Sequence, residues 1–378
     1  MFKSFYGTIT GLKWKKKKQM STTADIHKVL DNNLVTNVCT CACDMHVENL
    51  TGNKLMCKIN PQTAEHTMID YTPFLKSNKT LGFGNQGNVF SGLYFENGDM
   101  DDASEFSTNK VENYTTITKD FVVPITVAIK QVKLIRENGK EKKNASPGIH
   151  IYNEAKILSN LDHPGIIKFI GFFCDYSYYY LIVEHINGPD LFKFVIDGEF
   201  SYLNRIEQHN LTLQFANAIS YLHSKNYIHL DIKLENVMVK VIDNGPNKRF
   251  TYQIVLIDFA FARPVVDGVL ISVYSGSLLY ADPDIIKKIP YNPKAADIWS
   301  FGTTVYSMFS RCSLFDCPGK TEEDLEPLFV HKIMSNTPVV LYRIPEQYRN
   351  ILAKIFTYDS SERLKIDDIV TKLNKIKF

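Results

Sequence analysis

Residues 227–236 read Tyr-Ile-His-Leu-Asp-Ile-Lys-Leu-Glu-Asn, and residues 255–260 read Val-Leu-Ile-Asp-Phe-Ala. In the first stretch an apolar lead-in delivers Asp231, and Asn236 follows five residues later. In the second stretch Asp258 follows a hydrophobic run that is typical of a buried strand. Two carboxylates and an amide supply oxygen ligands of the kind that Mg²⁺ prefers beside substrate phosphates. The two stretches therefore predict a site that handles metal and phosphate.

A glycine-rich stretch lies earlier, where residues 82–89 read Gly-Phe-Gly-Asn-Gln-Gly-Asn-Val. Glycines let backbone amides approach phosphate oxygens closely. A strand-like run, Val89–Tyr94, follows the third glycine, whereas a dinucleotide-binding loop would open a helix there. The pattern favours a strand–loop–strand cover, with a plain hairpin turn as the alternative. Lys130, on the β-rich run Val127–Val132, supplies a cation that can offset phosphate charge.

The sequence divides into three regions that differ in their hydrophobic patterns and predicted elements. Residues 1–70 lack sustained periodicity and are expected to form a partly disordered N-terminal extension. Residues 71–186 read as strands with one helix, Ile151–Leu161, and with a polar insertion at 95–124. Residues 187–378 are dominated by helical spacing. This order predicts an α+β fold in two lobes.

Helical faces in the last region are marked by apolar residues at spacings of three and four. They comprise Leu211, Phe215, Ala218, Ile219 and Leu222, a buried run at Asp297–Phe309, and a final amphipathic stretch with Ile366, Ile369, Val370, Leu373 and Ile376.

Charge and composition narrow the class of protein. The 43 Lys and Arg residues nearly balance 41 Asp and Glu residues, which argues against a general nucleic-acid-binding role. Apolar residues make up 44% and charged residues 22%, as in globular proteins. No apolar run approaches the roughly 20 residues that cross a bilayer, so no transmembrane segment is expected.

Cysteine and lysine clusters lie in the extension. Seven cysteines at irregular spacing favour reduced thiols in an intracellular compartment, cytoplasmic or nuclear. Cys39, Cys41 and Cys43, with His46 nearby, form either a soft-metal site or simple thiols, and the missing second pair favours thiols. The lysine run at 13–18 is either a solvated charge run or a nuclear or membrane signal.

In their order and separation, these motifs resemble those of the eukaryotic protein kinase superfamily, Ser/Thr type, from about Leu81 to Arg363. The resemblance implies a β-rich N-lobe and a helical C-lobe, with ATP and Mg²⁺ as cofactors. It implies transfer of the γ-phosphate to Ser or Thr hydroxyls of a protein substrate.

The same resemblance implies roles for individual residues. Asp231 is the base, Lys233 neutralises the transferring phosphoryl group, and Lys130 holds phosphates while paired with Glu154. Asn236 and Asp258 are the metal ligands. The nucleotide-binding residues are Leu81, Gly82, Gly84, Gly87, Val89, Ala128, Lys130, Val183 as gatekeeper, Glu184 and Ile186 in the hinge, Asp190 and Met238.

Further expectations concern the helical lobe. Residues 276–284 resemble the substrate-docking segment, and Asp284 at its end is expected to pair with Arg363. Asp297 is expected to steady the catalytic loop through backbone amides. Ser277 matches a residue that often bonds the catalytic Asp and Lys.

Three departures from the family pattern matter. Leu230 replaces the arginine that meets a phosphate on the activation loop, so we expect activity to depend little on loop phosphorylation. Separate Ala substitutions of Ser272 and Ser275 test this. Ala260 replaces a glycine, which restricts flipping of its segment. Asp282-Pro283-Asp284 replaces Ala-Pro-Glu, which puts the acid at 284 on a shorter arm.

Two alternatives stay open: a nucleotide-binding pseudokinase scaffold and a small-molecule phosphotransferase. The residues Lys130, Asp231 and Asp258 argue against the first, and the docking segment argues against the second. Lys233 resembles the Ser/Thr class rather than the tyrosine class. Glu235 and Asp190 carry charges that suit substrates with basic residues upstream of the target hydroxyl, or they serve only structural and ribose-binding roles.

Overall fold

The structure is a computed structural model that describes residues 56–69, 73–84, 87–95, 124–134, 136–137, 140–141, 147–246, 248–315 and 322–378. The described chain forms two compact units. The first contains the described residues up to Ser159 together with Phe169–His185, and the second contains Asn160–Lys168 and Ile186–Phe378. The basic run, the Cys39–Cys43 cluster and insertion residues 96–123 lie outside the described residues.

The first unit is built on a seven-stranded sheet with one long helix, α1 (Pro147–Leu158). The sheet order is β2-β1-β8-β9-β5-β4-β3, and every pairing in it is antiparallel. Its strands are β1 (Met56–Ile59), β2 (His66–Ile69), β3 (Phe74–Gly84), β4 (Gly87–Tyr94), β5 (Ile125–Lys133), β8 (Phe169–Cys174) and β9 (Tyr178–Glu184), and β6 (Arg136–Glu137) pairs separately with β7 (Lys140–Glu141).

The N-terminal boundary of this unit differs from the sequence expectation. The strand-rich region was expected to begin at about Tyr71, yet β1 and β2 form a hairpin that joins the sheet beside β8. Each strand has four residues, too few for a period-2 pattern to be recognised in the sequence. Helix α1 also begins before and ends before the expected Ile151–Leu161.

The second unit is mainly helical. It contains two short antiparallel strand pairs, β10 (Tyr227–Ile228) with β13 (Arg263–Pro264) and β11 (Val237–Ile242) with β12 (Thr251–Leu256). Its helices are α2 (Leu191–Ile196), α3 (Glu199–Tyr202), α4 (Arg205–Ser224), α5 (Pro283–Ile286), α6 (Pro293–Ser310), α7 (Glu322–Met334), α8 (Glu346–Ile355) and α9 (Ile366–Leu373). The predicted α+β division into a strand-rich and a helix-rich part is confirmed.

Local sequence signals explain the main helices of the second unit. Helix α4 begins at a capping box in which Asn204 and Glu207 bond each other's backbone amides. Its predicted apolar face is buried as expected. Helix α6 begins after Asn292, with proline at its first position, and is buried on almost all sides around Trp299 and Phe301.

Among the residues that the structure describes, no helix combines the length and the apolarity that crossing a membrane requires.

Candidate active site

The glycine-rich stretch spans the end of β3 and the start of β4, where Gly84 pairs with Gly87. A Cβ atom at Gly87 would lie 2.4 Å from the carbonyl oxygen of Gln131 on β5, so the close strand packing requires glycine there. A Cβ atom at Gly82 would meet nothing within 4 Å, so the backbone faces open space. The predicted strand–loop–strand arrangement is confirmed, although Asn85 and Gln86 at the tip lie outside the described residues.

An ion pair joins strand β5 to helix α1 in the first unit. The Nζ atom of Lys130 on β5 donates to Oε2 of Glu154 on α1 at 2.7 Å, and both side chains are largely buried. The pairing that the resemblance implied is therefore confirmed. Removal of either partner would leave a buried charge without a counter-ion, which is destabilising. The contact therefore stabilises the packing of α1 against the sheet.

Four of the predicted nucleotide-binding residues of the first unit share one face of the sheet. Val89 lies directly opposite Lys130, and Ala128 lies opposite Val183. Since strand residues two apart point to the same side, these four side chains line the face on which Lys130 meets α1. Leu81 on β3 is exposed, and Glu184 ends β9 just before the chain passes into the second unit at Ile186.

Two further predicted nucleotide-binding residues lie together in the second unit. Asp190 and Met238 form a β-bridge. The Oδ1 atom of Asp190 accepts a 2.7 Å hydrogen bond from the amide of Lys193, so this carboxylate caps helix α2. This structural role coexists with the proposed ribose contact because the second carboxylate oxygen is not used by the cap.

Asp231 is the centre of a hydrogen-bond network in the second unit. Its Oδ2 atom accepts from Nζ of Lys233 and from Nδ2 of Asn236, both at 2.8 Å. Its Oδ1 atom accepts from the hydroxyl of Ser277 at 2.9 Å, and that hydroxyl in turn accepts from Lys233. The predicted bonds of Ser277 to Asp231 and Lys233 are confirmed. A carboxylate offers about four acceptor positions, and described residues use three of them, which leaves one on Oδ1 for a proton donor.

The backbone of this loop is fixed by Asp297 of α6. Its two carboxylate oxygens accept from the amides of His229 and Leu230, each at 2.9 Å, which confirms the expected role. His223 on α4 adds a third bond to Asp297 at 2.9 Å. The sequence interpretation missed His223, although the residue lies four positions after Ile219 of the buried helical face.

The predicted metal ligands are brought together by the β11–β12 hairpin. Val237 pairs with Leu256, so Asn236 lies beside the chain at Ile257, and the amide of Ile257 donates to the carbonyl of Asn236 at 2.9 Å. Asp258 follows directly, with a φ of 59°, a strained value of the kind found at functional sites. The Nδ2 atom of Asn236 is used by Asp231, so its Oδ1 atom is the one suited to a metal.

Leu230, where the family pattern has arginine, is buried in an apolar cluster. The cluster also contains Ile228, Tyr291 and Ala296. Four partly buried residues of the segment 261–285 pack against it, namely Phe261, Val265, Ile271 and Ile285. Apolar packing therefore holds these residues beside the loop that carries Asp231. Ala260, where glycine was expected, has a negative φ that alanine adopts without strain.

The pairing expected for Asp284 is wrong. Arg363 forms its ion pair with Asp282, and both side chains are almost fully buried. Arg363 also donates to the carbonyl oxygens of Ala295 and Thr357. The carboxylate of Asp284 instead accepts from the hydroxyl of Ser360 at 3.2 Å. Aspartate has a shorter side chain than the glutamate expected at position 284, and the partner of Arg363 is instead the carboxylate two residues earlier, at Asp282.

Glu235 is a partly buried carboxyl group near Asp231. Burial raises the pKa of Glu235 above its ordinary value, the nearby carboxylates of Asp231 and Asp190 add to the rise, and Lys233 opposes it. The hydroxyl of Tyr280 donates to it at 3.5 Å. A further cation would therefore be stabilised next to this group.

Comparison with known proteins finds similarity to protein kinases. The family model of the protein kinase domain matches residues 122–373, which begin after the glycine-rich hairpin. The chain is 31% identical over 177 residues to the "Probable serine/threonine-protein kinase KIN1 homolog" of Enterocytozoon bieneusi, covering 47% of this chain and 27% of that protein.

Two other relatives match at similar levels. A "Probable serine/threonine-protein kinase MARK-C" of Dictyostelium discoideum is 30% identical over 208 residues, covering 54% of this chain and 24% of that protein. An "Aurora kinase" of Eremothecium gossypii is 26% identical over 216 residues, covering 57% and 54%. The chain thus spans between a quarter and about half of the length of these curated relatives.

Proposed function

This chain belongs to the protein kinase family, and we propose that it transfers the γ-phosphoryl group of ATP to serine and threonine hydroxyls of proteins. Phosphoryl transfer needs little covalent chemistry from the protein, and it depends on positioning and on neutralisation of charge. The observation that carries the proposal is the network around Asp231, whose carboxylate is held by Lys233, Asn236 and Ser277.

In this proposal Asp231 accepts the proton of the substrate hydroxyl on its Oδ1 atom. The bonds on both oxygens fix the orientation of the carboxylate before the substrate binds, which avoids reorganisation during the reaction. Lys233 neutralises charge on the transferring group. Its Nζ atom already lies 2.8 Å from both Asp231 and Ser277, so its position is set by two partners.

Lys130 is proposed to hold nucleotide phosphates, with Glu154 fixing its ammonium group. Asn236 and Asp258 would hold a magnesium ion, whose positive charge would help neutralise the phosphate oxygens. The donor set fits it, because Asn236 presents an amide oxygen and Asp258 a carboxylate, both oxygen ligands from adjacent ends of one hairpin. Val89, Ala128 and Val183 present the apolar surface that an adenine ring requires.

The substrate class is inferred from resemblance and from charge. The position of Lys233 resembles that of a lysine in the Ser/Thr class, and the half-buried Glu235 beside Asp231 and Asp190 favours peptides with Arg or Lys upstream of the target hydroxyl. A positional peptide array tests this preference, and no gain from basic residues upstream would reject it. We propose an intracellular location for this activity, cytoplasmic or nuclear, because the irregular cysteine spacing favours reduced thiols.

The activity is tested by transfer of labelled γ-phosphate from Mg²⁺-ATP to a generic protein substrate. The wild-type protein is compared with Asp231→Ala and Lys130→Ala, and we expect transfer by the wild type alone. Equal signal from all three would indicate a contaminating kinase. Nucleotide binding without transfer would favour a pseudokinase scaffold, and transfer only to small molecules would favour a small-molecule phosphotransferase.

A further inference from the structure

Two cysteines face each other across neighbouring strands of the first unit. Cys57 on β1 and Cys174 on β8 are directly opposed in an antiparallel pair, and both are buried thiols. Directly opposed residues in such a pair have Cα atoms about 4.5 or 5.5 Å apart, depending on the hydrogen-bonding pattern. Either separation falls within the range of roughly 4.4–6.8 Å that a disulfide spans.

From this register we propose that Cys57 and Cys174 form a reversible disulfide that fastens the β1–β2 hairpin to β8. The bond would connect strands distant in sequence, because Cys57 and Cys174 enclose β3, β4, β5 and α1. The oxidant is a hydroperoxide, of which hydrogen peroxide is the simplest.

A neighbouring imidazole equips Cys57 to react first. The Sγ atom of Cys57 lies 3.3 Å from Nδ1 of His66 on β2. Hydrogen bonding with Cys174, aided by His66 and opposed by burial, lowers the pKa of Cys57 to about 5. The thiolate is the form of cysteine that attacks peroxides and disulfides, so this thiol has the character of a reactive one.

The reaction balances with one hydroperoxide. The thiolate of Cys57 attacks the peroxide, the O–O bond breaks, and a sulfenic acid forms as the leaving oxygen takes a proton to become water or an alcohol. The thiol of Cys174 then attacks the sulfenic sulfur, an S–S bond forms, and the S–O bond breaks with release of water. The two cysteines lose two protons and two electrons in total. Because β2 is an edge strand, local opening of the hairpin can admit so small an oxidant.

The two cysteines lie on the side of the sheet that faces α1. Rows of directly paired residues run across the sheet, and alternate rows share a face: one row is Cys57, Cys174, Tyr179 and Val132, and the row two residues along contains Phe172, Leu181 and Lys130. Phe172 packs edge-on against Tyr152 of α1. The disulfide would therefore lie on the same face as the Lys130–Glu154 pair.

The hairpin also touches α1 directly. The Nε2 atom of Gln62 donates to the carbonyl of Lys156 at 2.7 Å and to the hydroxyl of Ser159 at 2.6 Å. The hydroxyl of Tyr152 donates to the carbonyl of Pro61. Fixing the hairpin would thus limit movement of the helix that carries Glu154. Any effect of this limited movement on phosphoryl transfer rests on the proposed kinase activity. Formation of the disulfide does not depend on that activity.

The test is peptide mapping of the full chain, which does not depend on activity. The protein is reduced, treated with hydrogen peroxide, blocked with iodoacetamide after denaturation, and digested. We expect a linked Cys57–Cys174 peptide, lighter by two hydrogens than the sum of its parts, and a melting temperature that rises and returns after dithiothreitol. Cys312→Ser, a change at a cysteine of the second unit, should leave both results unchanged.

A second variant, His66→Gln, leaves both thiols in place and should slow formation of the linked peptide without preventing it. Full alkylation of Cys57 and Cys174 after peroxide treatment would overturn the proposal. Linkage of either residue to another cysteine, or arrest of Cys57 as a sulfinic acid, would overturn it as well.

Discussion

Arg363 pairs with Asp282 rather than with Asp284, so substitutions of these two aspartates should affect stability differently. Asp282→Asn removes the negative charge that faces Arg363, yet the new Oδ1 atom can still accept the capping bond from the amide of residue 284. The guanidinium is fully buried, so it would lose its counter-ion without gaining water. Breaking a buried pair in this way costs about 3–5 kcal/mol. Bonds to Ala295 and Thr357 remain, which favours the lower end of that range.

Asp284→Asn is the matched control. The residue is half-buried, and its asparagine replacement can still accept from Ser360, so we expect a loss below about 1 kcal/mol. Both free energies of unfolding are measured by urea denaturation followed by tryptophan fluorescence. Trp299 is a direct reporter because the guanidinium of Arg363 lies 5.2 Å from its ring. Trp14→Phe as background removes the other tryptophan. A loss at residue 284 equal to or greater than that at residue 282 would refute the assigned pairing.

Four other substitutions probe the loop that carries Asp231 and the segment after it. Ser277→Ala removes a hydroxyl that is bonded to two charged groups, and such bonds are worth about 1.5–3 kcal/mol. The value of kcat should therefore fall about tenfold to a hundredfold, with an unchanged KM for ATP. Ser272→Ala should have the kcat of the wild type. Leu230→Ala should lower the free energy of unfolding by about 2–5 kcal/mol in urea titrations, because it empties a buried apolar cluster, and an unchanged value would show that the cluster does not hold the segment. Gly276→Ala should lower the melting temperature and activity together, since φ is 92° and its Cβ atom would lie 2.3 Å from the carbonyl of Leu230; wild-type behaviour would show that the contact is dispensable.

The hydrogen bonds between Asp231 and Asn236 could be predicted from sequence because the two residues are close together along the chain. Asp231 and Asn236 are separated by one tight turn, and their mutual bonds follow from that spacing. Lys130 and Glu154 could be matched only through the resemblance, since nothing in either stretch alone indicates which acid on the helix meets the lysine. The structure confirms that match at 2.7 Å.

Features that depend on the reach of side chains could not be predicted. Two aspartates flank Pro283, and the sequence pattern favours the second, but the turn directs the first towards Arg363. The β1–β2 hairpin was missed because four-residue strands carry too little periodicity. The opposed position of Cys57 and Cys174 is likewise a matter of strand register, which short strands do not reveal.

The central claim, that Asp231 acts as the base, is tested most directly by separating binding from chemistry in Asp231→Asn. The asparagine keeps one acceptor oxygen, which can serve Lys233 and Asn236, while its amide nitrogen can donate to the Ser277 hydroxyl. It cannot take a proton from the substrate. We predict an unchanged dissociation constant for Mg²⁺-ATP, together with a single-turnover rate of phosphoryl transfer lower by about 10²–10⁴-fold. A rate equal to that of the wild type, with ATP bound equally well, would contradict the account.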